Sequence, residues 1–134
     1  MQLQLIDIWT AAGVLLGFQV TSFAWRVSRE VQAGEKDDLT WLPPADLLNL
    51  LSMTVIVIGV FVGPILFCAD MKFVQSSFGL ALLLFVGYPF ALTGHYDMFN
   101  NKTKRSYCYF TFQEKVVVII VAILVIGYLA LAIR

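Results

Sequence analysis

A chain of 134 residues that is 60% hydrophobic and 13% charged, with a mean hydropathy of +0.83, lies well outside the composition of water-soluble domains. Nine basic residues balance nine acidic ones, so no global field draws nucleic acid or an acidic partner. One His and two Cys fall short of the roughly four ligands of a structural zinc site, and no cofactor is expected.

A bilayer core about 30 Å thick asks for roughly 20 apolar residues as helix, because unpaired backbone groups in hydrocarbon rule out open alternatives. Four stretches meet this requirement, at about 3–25, 47–69, 73–94 and 116–133. The expected fold class is therefore all-α, an integral membrane bundle of four transmembrane helices whose first partner is the lipid bilayer.

The first stretch has Asp7 as its only charge, and Met1 to Leu5 lacks the positive charge of a signal peptide, so it is read as a retained span. Asp7 has two readings: a coupling carboxylate for a cation or proton, or an interfacial charge that favours a helix N-terminus. Asp7, Thr10, Gly17 and Thr21 form a small and polar stripe, with Gly13 and Gln19 to either side. Arg26 to Ala33 is expected to extend this helix, with Gly34 as its stop.

Pro43 and Pro44 start the second helix, where a missing N–H costs nothing, and Asp46 complements the positive helix end. Asn49, Ser52, Gly59 and Gly63 form its small and polar face, and Pro64 predicts a kink. The faces of spans one and two, with Gly-x-x-x-Gly at Gly13 and Gly17 and again at Gly59 and Gly63, are expected to meet each other or another chain. Asp7, Thr10, Asn49 and Ser52 together form a candidate intramembrane polar site. Cys68, at the end of span two, is read as a packed apolar residue.

Only Asp70, Met71 and Lys72 separate spans two and three, which predicts a tight antiparallel hairpin between helices 2 and 3. Gly87, Ala91 and Gly94 mark a close-packing side of span three. His95, with Tyr96 and Asp97, ends it; a lone His cannot supply the two axial ligands of a membrane haem, and interfacial hydrogen bonding is the preferred reading. Asn101-Lys102-Thr103 is a glycosylation sequon, discounted because the loop carries the charge of a cytoplasmic one. Lys102, Lys104 and Arg105, followed by Tyr107 and Tyr109, form a candidate cytoplasmic interface loop for anionic headgroups or a partner. Cys68 and Cys108 fall on opposite sides, too far apart for a disulfide. The fourth span is aliphatic almost throughout and is expected at the periphery.

Arg26, Arg29 and Lys36 lie in the first loop and Lys102, Lys104, Arg105 and Lys115 in the third, which by the positive-inside rule are cytoplasmic. Both termini then lie outside, in what is read as a plasma (inner) membrane. No catalytic or nucleotide motif appears, so the expected function is that of a non-enzymatic accessory or structural subunit in a homo-oligomer or with a membrane-protein partner. The alternative is a small-solute or cation- or proton-coupled transporter or channel using Asp7.

Overall fold

The computed structural model describes residues 4–37, 42–100 and 108–132, and every regular element among them is helical. They are α1 (Leu5–Asp37), α2 (Pro44–Val55), a π-helical segment (Ile56–Val62), α3 (Gly63–Phe67), α4 (Met71–His95) and α5 (Phe112–Ala132). α2, the π segment and α3 are continuous, so the described residues contain four helices long and apolar enough to cross a membrane: Leu5–Gln32, Pro44–Phe67, Met71–His95 and Phe112–Ala132.

Helix α1 starts on one half of a capping box. The Asp7 carboxylate accepts from the Gln4 backbone N–H at 3.0 Å and so satisfies one of the donors a helix start leaves open. The helix then runs through Gly34 to Asp37 rather than stopping there. No described glycine takes a positive φ, so Gly34 supplies none of the left-handed geometry that would have ended the helix.

In the second span Pro64 removes one backbone donor, and the carbonyl it would have met four residues earlier belongs to Val60. The helix is wound as π over the seven residues before Gly63, and Trp9 Nε1 donates to the Val60 carbonyl at 2.9 Å. The expected kink is thus a π segment, bound to α1 through an indole N–H.

The hairpin between the second and third spans is as tight as expected. Cys68 closes α3 in the left-handed conformation (φ 50°), and Asp70 caps α4 by accepting from Phe73 N at 2.8 Å. Cys68 is exposed rather than packed, because the turn that reverses the chain holds it outside the helices.

Successive spans pack antiparallel. Along α4, Gly79, Gly87 and Gly94 lie opposite Tyr128, Val121 and the Gln113–Glu114 backbone, two turns apart on each helix, and Tyr128 donates to Ser76 O at 2.9 Å. A methyl on Gly94 would come within 2.8 Å of Glu114 N. α5 buries little beyond Glu114 and Val121, in keeping with its peripheral place. Two apolar clusters make the core, one of Ile8, Ala12, Ile56, Val60, Val74 and Ala81, the other of Ala45, Leu48, Leu84, Tyr88, Ala91 and Val121.

Candidate functional site

The end of α1, the start of α2, the end of α4 and the start of α5 meet at one end of the bundle, and the buried charge of the described residues gathers there. Arg26, inside α1 just past its apolar stretch, is 2% exposed. Its Nη2 lies 3.3 Å from Asp46 Oδ2, and its Nη1 lies 3.0 Å from Glu30 Oε1 and donates to the Tyr96 hydroxyl at 2.8 Å. A guanidinium supplies several donors in a fixed fork, which lets one side chain join α1, α2 and the end of α4.

The second pair is His95 and Glu114, with Nδ1 2.9 Å from Oε2. The other carboxylate oxygen, Oε1, accepts from Ala45 N at 2.6 Å. This last contact has a local cause. α2 begins with Pro43 and Pro44 and has no capping side chain of its own, so a carboxylate from α5 meets the open donor and the positive helix end. Glu114 is held in place by Thr111, which caps α5: its hydroxyl donates to Gly94 O at 2.8 Å and accepts from Glu114 N at 3.4 Å. Ala45 and Asp46 are neighbours, so the two pairs form one clasp around the start of α2.

A neutral network continues inward. Ser52 Oγ donates to Ala81 O at 2.7 Å and accepts from Gln19 Nε2 at 2.7 Å, and Asn49 Nδ2 donates to Gln19 O at 3.3 Å. On α1 the buried polar positions are Gln19 and Arg26, with Ser22 between them; on α2 they are Ser52, Asn49 and Asp46 in reverse order, as antiparallel neighbours require.

The residues expected to share one polar site fall in two places. Asn49 and Ser52 are buried beside Gln19, near the clasp. Asp7 and Thr10 are exposed at the opposite end, Asp7 in the cap with Gln4 and Thr10 donating to Ile6 O at 2.8 Å. Antiparallel packing is the reason: the start of span one lies beside the end of span two, not its start.

The glycine pairs separate as well. Gly59 faces Ser77, and a methyl on Gly63 would reach Phe73 at 3.1 Å, so both serve the hairpin with α4. Around Gly13 and Gly17 nothing lies within 4 Å of where a methyl would stand. The faces of spans one and two expected to meet therefore do not meet through their glycines; α1 turns Ile8, Ala12 and Gln19 to the bundle instead.

Lys102, Lys104, Arg105 and Tyr107, like the sequon, lie outside the described residues. Tyr109 is exposed, and its hydroxyl donates to Leu42 O at 3.0 Å, linking the third connection to the first.

Glu114 is the residue the sequence reading missed. Its signal was the Thr-x-x-Glu spacing of Thr111 and Glu114 immediately before an apolar run. Comparisons with family models, curated proteins and solved structures found no match, so the chemistry of this clasp rests on its own geometry.

Proposed function

We propose that this protein is a non-enzymatic accessory or structural subunit that joins a second copy, or another membrane protein, by helix contact within the bilayer. The observation that carries this reading is the open Gly13–Gly17 ridge of α1, flanked by exposed Val14, Phe18 and Val20. Apolar area gives helices in lipid no reason to associate, and close backbone approach at small residues is a main source of their affinity. Gly59 and Gly63 are used up within the chain; Gly13 and Gly17 are not.

The polar side chains add support. Thr10 and Thr21 donate to carbonyls of their own helix, which leaves the ridge smooth and suited to packing against another helix. Transport through Asp7 has less behind it: this carboxylate lies twelve residues, about 18 Å of helix, from the Gln19 network. The charge distribution supports the clasp end as the cytoplasmic one, with both termini outside a plasma (inner) membrane.

The test is cysteine-free protein in vesicles, carrying a single crosslinkable residue at Val14. Wild-type sequence is expected to crosslink, and Gly13→Leu with Gly17→Leu to lower the yield at least tenfold, since leucine there meets nothing in its own chain. Equal yields in wild type and the double variant would remove α1 as the contact.

A further inference from the structure

Two cavities flank one stripe of α4 at the hairpin end of the bundle. The stripe is Phe73, Ser77 and Leu80, spaced i, i+4 and i+7 on one helix face, and it lines both cavities. On one side the wall is completed by Leu129 and Ala132 of α5, around about 390 Å³; on the other by Val55 and Ile58 of the second span, around about 270 Å³. Both are open grooves rather than closed chambers: Ile58, Phe73 and Leu129 are 56%, 49% and 40% exposed.

Depth and charge identify the class of occupant. Both grooves reach Leu80, ten residues from Asp70, or about 15 Å of helix. That is the depth of one leaflet in a bilayer core about 30 Å thick. Two grooves that straddle one helix near its start match the two acyl chains of a phospholipid. The larger groove is also lined by Asp70 and Lys72, both exposed, and no salt bridge among the described residues joins them. Asp70 Oδ1 caps α4 by accepting from Phe73 N, and Oδ2 takes no part in that cap. A carboxylate oxygen beside an ammonium complements a headgroup of both signs, with a phosphate for Lys72 and charged N–H donors for Asp70. A headgroup that is only anionic would be repelled by Asp70, and a quaternary ammonium has no hydrogen to donate.

We propose that this face binds one phospholipid with a primary-amine headgroup. Its chains straddle the α4 stripe, and Lys72 and Asp70 hold its phosphate and ammonium. The site uses no residue of α1, so it stands apart from the contact proposed for that helix.

Native mass spectrometry tests this on wild-type protein extracted in mild detergent from vesicles of equal parts phosphatidylethanolamine, phosphatidylcholine and phosphatidylglycerol, all with the same chains. Wild type is expected to retain one phosphatidylethanolamine per chain, several-fold above either of the others. Asp70→Asn, which keeps the capping oxygen, should erase the preference over phosphatidylcholine. Lys72→Gln should lower retention of phosphatidylethanolamine several-fold. Equal retention of the three lipids by wild type would mean bulk lipid only and overturn the proposal. So would a preference for phosphatidylglycerol, which would make Lys72 a plain anion contact, or a preference for phosphatidylethanolamine that survives both substitutions.

Discussion

An arginine at the end of an apolar stretch meets its need for polar contact either by reaching to headgroups or by pairing with a buried carboxylate. Arg26 pairs with Asp46, and removing one partner of a buried pair leaves a charge behind, at a cost of about 3–5 kcal/mol, whereas replacing both by apolar groups is often neutral. Arg26→Met alone should therefore lower stability by about that amount, and Arg26→Met with Asp46→Leu should recover most of it. Reversible unfolding in mild detergent measures both, and a double variant as unstable as the single one would show the pair to be more than mutual neutralisation. Glu114 behaves differently, because it meets both a backbone donor and His95. Glu114→Leu should cost about 1–3 kcal/mol and Glu114→Gln, which keeps an acceptor for Ala45 N, clearly less. At this scale the sequence was least informative. Arg26 and Asp46 were legible as charges near span ends, but charge position alone carries no pairing, and Gln19 looked peripheral to a stripe when it is the hub of the buried one.

The helices themselves follow from local chemistry, and the second span shows how far. Pro64 announced a distortion, and its missing donor is at the position that would have served Val60 O. What periodicity could not supply was the acceptor's new partner, Trp9, which lies 51 residues away and also suits a headgroup-level ring. The arrangement predicts coupling between the two residues. Trp9→Phe should cost about 0.5–1.5 kcal/mol in the native background and less in Pro64→Ala, where residue 64 regains an N–H for Val60. A double-mutant cycle by unfolding reads the difference, and additive effects would mean that the indole bond does not depend on the proline. The glycines make a parallel contrast. Gly94→Ala brings a methyl against the backbone of Glu114, which cannot turn aside, and overpacking of this kind costs about 1–3 kcal/mol. Gly13→Ala meets open space and should leave the stability of the isolated chain unchanged or slightly raised.

For the whole molecule, the four long apolar helices were legible because hydrocarbon permits few structures, and the tight hairpin because three residues leave the chain one way to turn. Which helix faces meet was not, since in lipid the choice rests on small residues and buried polar pairs, and several stripes in this sequence would serve. Orientation rests on basic residues alone, and the native cysteines test it. Cys68 is exposed at the α3–α4 turn, and Cys108 is exposed near the start of α5, at the opposite end of the bundle. With both termini outside, a membrane-impermeant maleimide added to intact cells should label Cys68 and not Cys108, and permeabilising the cells should add Cys108. Cys68→Ser and Cys108→Ser variants assign each band. The reverse pattern would place the Arg26–Asp46 and His95–Glu114 clasp on the outer side. The third connection would then face outward with its basic residues, against the charge bias from which the orientation was inferred, and the Asn101-Lys102-Thr103 sequon would become accessible to modification. Labelling of both cysteines to the same extent before permeabilisation would show that the inserted chain has no single orientation.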